Sequence, residues 1–352
     1  MKKFSFLPFY VIFLAALVIA GVSCTKEGPQ GPPGKDGEDG IDGQDGTAGC
    51  IQCHDNSQVI FSKVIQWEAS THATGGNFER NGTSCAPCHT SQGFLERMET
   101  GAQTTADDIS NPNPPNCYTC HNIHDTYTPD DWALTYSDPV DYWQTGGKAG
   151  ADLGKGNLCA NCHQSRVISP WPVAGSGEIY SITNKRYGPH HGPVGNIIEG
   201  IGGYEVSGSM TYENSLHTSL VENSCVDCHM AEPYGAQSGG HVMSMGYEYH
   251  GEIEYNVAGC TECHGDDPDA IVELIEETQA EIDLLLSDLR TILLEDEILD
   301  SSNYVVVPIE LTADQAGAVV NYKLVGEDRS GGVHNYKYAK ALLTNSIESL
   351  QE

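Results

Sequence analysis

Six copies of the motif Cys-x-x-Cys-His constrain this chain more than any other feature of its sequence. Numbered in chain order, they are motif 1 (Cys50, Cys53, His54), motif 2 (Cys85, Cys88, His89), motif 3 (Cys117, Cys120, His121), motif 4 (Cys159, Cys162, His163), motif 5 (Cys225, Cys228, His229) and motif 6 (Cys260, Cys263, His264). Two thiols three positions apart can reach the two vinyl groups of one haem as thioethers, and the histidine that follows then lies under the iron. The motifs therefore predict six covalently attached haem c groups, with these six histidines as proximal iron ligands.

Zinc is the alternative cofactor for paired cysteines. Zinc ribbons join two Cys-x-x-Cys pairs into one four-cysteine site and have no need of a histidine after every second cysteine. The motifs use twelve of the 13 cysteines, and the thirteenth, Cys24, lies at the end of an apolar leader. The pattern favours haem, and it leaves no cysteine for a disulfide.

Eight histidines lie outside the motifs and are candidates for the second, distal ligand of each iron. They are His72, His124, His190, His191, His217, His241, His250 and His334. Six irons need at most six such ligands, so every iron can be closed by two histidines, and a closed iron passes electrons without binding substrate. Methionine is a weaker candidate, because two of the six methionines lie in the leader or directly after a proximal histidine.

Position along the chain separates these candidates further. His72, His217 and His250 each stand a short way before a motif, which forms a loose internal repeat. His124 follows His121 by three residues, so it cannot reach the far side of its own haem and would serve a neighbouring one. Of the adjacent His190 and His191, we expect only one to be a ligand, since neighbouring side chains rarely face the same iron.

The first 23 residues predict an export signal. Lys2 and Lys3 precede an apolar run over 7–20, and small residues lead to Cys24. The run is short for a transmembrane span of about 20 residues. The end of the leader resembles the lipobox of bacterial lipoproteins, which implies that Cys24 is lipidated and becomes the first residue of the mature chain. An ordinary secreted protein with one spare thiol is the alternative.

Residues 24–49 predict a tether. From 28 to 49 a glycine falls at every third position, which is a collagen-like Gly-X-Y repeat. Only the first two triplets contain proline, so an extended spacer is favoured over a collagen-like homotrimer.

Charge limits the partners. The chain has 17 Lys and Arg against 49 Asp and Glu, a net charge of −32, and loss of the leader with its two lysines makes this −34. Nucleic acid is excluded as a partner, because phosphate binding needs a basic surface. We expect redox proteins or an extracellular electron acceptor instead, and the membrane through the lipid anchor.

Several local strings resemble the multihaem c-type cytochromes of environmental bacteria. They include Cys117-Tyr-Thr-Cys-His-Asn-Ile-His124, Gly188-Pro-His-His191 and Cys225-Val-Asp-Cys-His-Met230. The stretch 330–343 is similar to the closing helix of relatives of the pentahaem nitrite reductases. The resemblance implies electron transfer and, for some members, reduction of nitrogen or sulfur oxyanions. The Cys-x-x-Cys-Lys motif of the nitrite enzymes is absent from this sequence, so no catalytic residue is carried over.

We expect a mainly α fold with extensive irregular loops, organised around stacked haems over 50–265, and an acidic helical region over 266–352 that packs on it. Apolar residues at alternating steps of four and three predict a long helix over 270–294, with a partner helix over 339–350. A brief extended stretch is predicted at 304–308. The four tryptophans, Trp67, Trp132, Trp143 and Trp171, are expected to serve as packing.

Together these patterns predict an exported, lipid-anchored hexahaem cytochrome c that relays electrons at the outer membrane, facing the periplasm or the cell surface. Electron carriage without bond chemistry is favoured over enzymatic activity. Two alternatives remain. One is a reductase of oxyanions or hydroxylamine with one open iron, and the other is a subunit of a polymeric haem filament.

Overall fold

The computed structural model describes residues 58–351, and the described residues fall within one compact unit. Motif 1, Cys24 and the repeat over 28–49 lie outside the described residues. The helices are α1 Gln58–Ala69, α2 Thr71–Thr74, α3 Ala86–His89, α4 Ser91–Thr100, α5 Cys117–Cys120, α6 Asn157–Ala160, α7 Val194–Glu199, α8 His217–Leu220, α9 Cys225–His229, α10 Thr261–His264, α11 Pro268–Glu295, α12 Ala313–Asp328 and α13 Tyr336–Gln351. The strands are β1 Ile179–Ile182, β2 Gly246–Tyr249, β3 Glu252–Tyr255 and β4 Ile309–Thr312. Single-turn 3₁₀ helices add Asn77–Glu79, Pro129–Trp132, Gly154–Gly156 and Gly240–Val242. The predicted mainly α fold with few strands and long irregular loops is confirmed.

Each described attachment motif coincides with one helical turn. In motifs 2, 3, 4 and 6 the histidine amide donates to the carbonyl of the first cysteine, over 2.9–3.2 Å. This is the bond of a single α-helical turn, which places both thiols and the following imidazole on consecutive positions around one short axis. The turn ends there, and loops rich in glycine, proline and asparagine connect it to the next motif.

Three long helices follow the last motif and build the main hydrophobic core. Helix α11 begins at Pro268, whose predecessor Asp267 accepts hydrogen bonds from the next free amides, and it continues to Glu295. Its predicted apolar seam faces inward, with Ile282 and Leu289 fully buried. Helix α13 packs against it. The predicted intrachain helix pair is therefore present.

Helix α12 lies between them and was not predicted. Thr312 and Gln315 form a reciprocal capping box at its start. Its middle is buried on all sides, from Ala316 to Val320 and again at Leu324. A helix without an exposed polar face has no amphipathic period to detect.

The extended segment differs slightly from the prediction. Within 304–308 only Val305 makes a β-bridge, with Leu299, and the strand itself is β4, which begins at Ile309. β4 pairs antiparallel with β1. Because β1 lies between motifs 4 and 5, the core of the C-terminal helices extends into the motif-bearing region.

The second sheet is a hairpin. β2 and β3 pair antiparallel, and the two residues that join them are His250 and Gly251, both with positive φ (55° and 90°). That conformation is the one a two-residue hairpin turn requires. It holds His250 at an exposed turn.

Candidate functional site: paired histidines along the chain

The described structure brings each of the five described proximal histidines close to one histidine from outside the motifs. The pairs and the distances between their ring centroids are His72/His163 (6.1 Å), His89/His190 (6.1 Å), His121/His241 (6.4 Å), His217/His264 (6.0 Å) and His229/His334 (6.1 Å). The five separations agree to within 0.4 Å.

This common separation fits an iron between two imidazoles. A metal binds an imidazole nitrogen at about 2.0 Å, so two axial imidazoles on opposite faces of one metal have ring centroids about 6.3 Å apart. Each pair also has the two cysteines of a motif on the same helical turn as its proximal histidine. The donor set at each of the five positions is thus complete for one haem c: two thiols, a proximal imidazole and a distal imidazole.

The sulfur atoms provide a second test of the donor set. None of the ten described cysteines forms a disulfide. Within residues 58–351 no three Cys, His, Asp or Glu side chains converge on one point as ligands of a metal held by side chains alone. Paired imidazoles, each beside its own two thiols, fit a haem better than they fit a four-ligand zinc centre.

Hydrogen bonds orient several of the rings. His121 Nδ1 lies 2.8 Å from the Trp132 carbonyl, and His217 Nδ1 lies 2.8 Å from the Val333 carbonyl. His229 Nδ1 lies 2.9 Å from the carbonyl of Met243. A carbonyl can only accept, so Nδ1 carries the proton in each case. Nε2 is left with its lone pair, which is the form that binds a metal.

Burial keeps other rings neutral. It lowers the pKa of His163, His190 and His241 to about 4 each, and neighbouring cationic groups add smaller effects. His241 Nδ1 is buried and has no hydrogen-bond partner among the described residues. A neutral ring with an unused nitrogen suits a metal ligand.

Motif 4 is at the centre of the described motifs. The Cys162 side chain neighbours Cys88 of motif 2, and the Cys159 side chain neighbours Cys225 of motif 5. These neighbouring thiols and burial raise the pKa of both motif 4 cysteines, and Cys120 of motif 3 adds to the effect. Motif 4 therefore adjoins three other motifs.

Motif 6 continues the series from motif 5. The pKa of Cys228 is raised to about 11, first by burial and then by the neighbouring Cys260 of motif 6. The order of neighbours is thus motif 2, motif 4, motif 5 and motif 6, with motif 3 beside motif 4.

Arginines surround the motif 2 pair. Arg97 is buried, donates to the backbone and side-chain oxygens of Asn161 (2.5 and 3.1 Å), and lies 3.8 Å from Cys88 Sγ. Its guanidinium also stacks over Trp143, 4.7 Å from the ring centroid. Arg80 and Arg166 help to lower the pKa of His89, after the larger effect of burial. Among the described residues, no carboxylate lies within ion-pair distance of Arg97.

The motif 5 pair has the opposite kind of neighbour. His334 Nδ1 lies 2.8 Å from Oδ1 of Asp328, whose side chain is 1% exposed. Burial alone would lower the pKa of His334, but the Asp328 carboxylate outweighs it and raises this pKa above the usual value.

Three candidate distal histidines lie outside the five pairs. His124 stacks on Tyr127, with ring centroids 5.5 Å apart. His191 is 69% exposed and lies 2.7 Å from the Glu327 carboxylate. His250 occupies the hairpin turn described above. Of the adjacent His190 and His191, only His190 pairs with a described proximal ring.

Sequence position did not indicate which histidines would pair. Partners are separated by 47 positions for His217 and His264 and by 120 for His121 and His241. His72 faces motif 4 and not motif 2, which it directly precedes, and His217 faces motif 6 and not motif 5. Sequence reasoning also missed Arg97 and Asp328, because neither carries a local signal of its role.

The tryptophans expected to pack the interior differ in exposure. Trp67, Trp143 and Trp171 are half-buried, whereas Trp132 is 41% exposed and its ring lies edge-on to His121. Helices long and apolar enough to cross a membrane do not occur in the part of the chain that the structure describes.

Comparison with known proteins identifies a similar fold. Neither a family model nor a curated protein matches the chain. The crystal structure of the outer cell wall cytochrome OcwA superposes with a TM-score of 0.52 and 22% sequence identity, over 82% of this chain and 50% of that one. The chain thus spans about half the length of that cytochrome, and it shares the fold of its matching part.

Proposed function

We propose that this chain is an exported multihaem c-type cytochrome that carries electrons through adjoining haem sites, each closed by two histidines. The observation that carries the proposal is the set of five proximal histidines, each facing a histidine from outside the motifs at 6.0–6.4 Å. A haem c held there supplies a reversible one-electron couple. The similarity of the fold to an outer cell wall cytochrome supports the same conclusion.

The proposal gives the motif residues and the other histidines separate roles in holding the haems. The twelve motif cysteines form the covalent attachments, and His54, His89, His121, His163, His229 and His264 serve as proximal ligands. His72, His190, His217, His241 and His334 serve as distal ligands of motifs 4, 2, 6, 3 and 5, in that order. Cys88 of motif 2 and Cys162 of motif 4 are neighbours, so the two sites lie close together.

Motif 1 takes its distal ligand, in this proposal, from His124 or His250, because His191 is 69% exposed and paired with Glu327. With both axial positions filled at motifs 2–6, the reductase alternative is confined to motif 1. Export, lipidation at Cys24 and display at the outer membrane belong to the same proposal and depend on the sequence of residues 1–49. The acidic surface would favour cationic redox partners.

An electron paramagnetic resonance spectrum of the oxidised, fully haemylated protein tests the proposal. We expect at least five of six haems to be low-spin. The angle between two axial imidazole planes sets the spacing of the iron d orbitals, and hence the anisotropy of the signal. The pairs at motifs 2, 4 and 6, with interplanar angles of 65–78°, should give strongly anisotropic low-field signals. The pairs at motifs 3 and 5, at 32° and 43°, should give rhombic ones.

Optical spectra before and after addition of nitrite or hydroxylamine complete the test. Two or more high-spin haems, or ligand binding at more than one iron, would contradict the five closed sites. A single high-spin haem that binds these ligands would place the reductase activity at motif 1.

A further inference from the structure

The hydrogen bond between the buried Asp328 and His334 differs from the other described hydrogen bonds to the rings of paired histidines. The rings of His121, His217 and His229 are held by neutral backbone carbonyls. His334 alone among the paired histidines of the described chain is held by a carboxylate, at 2.8 Å from Nδ1. Hydrogen bonds to an ionised acceptor are about twice as strong as those between neutral groups.

The end of helix α12 and the loop that follows it fix this carboxylate. Asp328 is the last residue of α12, and Ser330 Oγ donates to its other oxygen, Oδ2. The same hydroxyl accepts from the amides of Gly332 (3.2 Å) and His334 (3.3 Å). The same hydroxyl therefore links Asp328 and His334, the two ends of the segment 328–334.

The packing of the loop on helix α11 makes this geometry rigid. Gly332 has a φ of 92°, and a Cβ there would lie 2.6 Å from Ile282 Cγ1. Gln279 donates to the Ser330 carbonyl over 3.2 Å. The Val333 carbonyl of the same loop accepts from His217. One loop of the C-terminal helices thus orients the distal histidines of both motif 5 and motif 6.

The charge of Asp328 is not neutralised by a cationic side chain. No Lys or Arg of the described chain lies within ion-pair distance of Asp328, and its side chain is almost fully buried. A negative charge in such surroundings is weakly screened. It pulls the Nδ1 proton of His334 towards itself and makes Nε2 a stronger electron donor.

We propose that Asp328 is a positioning residue that acts through His334 to give the motif 5 site the lowest reduction potential among the sites of motifs 2–6. A more strongly donating ligand stabilises Fe(III) relative to Fe(II). This inference rests on the proposed function, since it takes His334 to be an iron ligand. It deepens that function by placing an uphill step for the electron between motif 4 and motif 6, because an electron has its highest free energy at the site of lowest reduction potential.

The experiment is a spectroelectrochemical titration of the full, haemylated chain carrying Asp328→Asn. Asparagine preserves the shape and can still accept from His334 Nδ1, but it removes the charge. One Fe(III)/Fe(II) couple should respond, the one with the lowest reduction potential among those assigned to motifs 2–6. We expect its equilibrium to shift about tenfold towards Fe(II). That is about 59 mV for a one-electron couple, at the lower end of the effects of such supporting residues.

Two controls make the result specific. Glu327→Gln removes the same charge one residue away, from a half-buried carboxylate that contacts the exposed His191, and should leave every potential within a few millivolts. Asp328→Glu restores a carboxylate and should recover part of the wild-type potential. Equal shifts from Asp328→Asn and Glu327→Gln, or no shift from either, would overturn the inference.

The variant His334→Met distinguishes a failure of the inference about Asp328 from a failure of the proposed function. If His334→Met alters one low-spin signal while Asp328→Asn shifts no potential, His334 is a ligand and Asp328 does not tune it. If His334→Met leaves all spectra unchanged, His334 is not a ligand, and both the inference and the motif 5 assignment are overturned.

Discussion

The motif 2 pair, His89 and His190, and the motif 5 pair, His229 and His334, both adjoin motif 4, but their surroundings carry opposite charge. Three of the six arginines of the chain, Arg80, Arg97 and Arg166, influence motif 2. A buried carboxylate supports motif 5. A positive neighbour favours Fe(II) and a negative one favours Fe(III), so the two sites should differ in potential even though the proposal gives each of them two histidine ligands.

This difference shows that overall charge does not set local electrostatics. A chain with a net charge of −32 would be expected to surround every site with negative charge. Exposed carboxylates, however, are screened by water and salt, whereas a single buried group acts at close range. Arg97 and Asp328, both almost fully buried, therefore matter more than the many surface acids.

The largest expected effect comes from replacing the distal ligands themselves. His190→Met and His334→Met should each raise the potential of one haem by on the order of 100 mV, within the range of about 0.8 V that axial ligands span. The shift should be larger for His334→Met, because this variant also loses the contribution of Asp328. Redox titration followed by paramagnetic resonance measures both shifts.

His191→Met is the matched control for His190→Met. His191 is adjacent in sequence but exposed and paired with Glu327, so its replacement should leave the low-spin signals unchanged. A spectral change in His191→Met, with none in His190→Met, would reverse the assignment of the two neighbours. Equal shifts for His190→Met and His334→Met would remove the difference between the two sites.

An intermediate effect is expected from Arg97→Met. Loss of this buried cation beside Cys88 should lower the potential of the motif 2 site by on the order of 1 kcal/mol, or roughly 40 mV. It should also lower the free energy of unfolding by on the order of 3 kcal/mol, because Arg97 joins helix α4 to the motif 4 loop through two hydrogen bonds to Asn161.

Arg97→Lys separates charge from geometry. Lysine keeps the positive charge but cannot form the same forked contact with Asn161. We expect a potential close to that of the wild type together with a clear loss of thermal stability. A drop in potential as large as that of Arg97→Met would show that packing, and not charge, sets the potential of motif 2.

The sequence was sufficient for features that depend on local spacing. The seam from Ile271 to Ile292 predicted helix α11, and the attachment sites stay a prediction from the fixed spacing of cysteine and histidine. The sequence could not predict the pairing of histidines, because the two rings of a pair lie 47 to 120 positions apart and tertiary packing decides which rings meet. Helix α12 was missed for a related reason, since burial on all sides erases its period. Only its capping box, Thr312 and Gln315, could have indicated it.

The smallest expected effect is that of Arg80→Gln. Arg80 and Arg166 both influence the rings of His89 and His190. The side chain of Arg80, however, is exposed. Water and salt screen such a charge, so its loss should lower the motif 2 potential by less than about 0.3 kcal/mol, or roughly 10 mV, and the shift should shrink as salt is raised from 0.01 M to 1 M. The Arg97→Met shift should barely depend on salt over that range, because Arg97 is buried. If the two shifts instead fall together with salt, the contrast between motif 2 and motif 5 arises from the field of the whole surface and not from the buried groups.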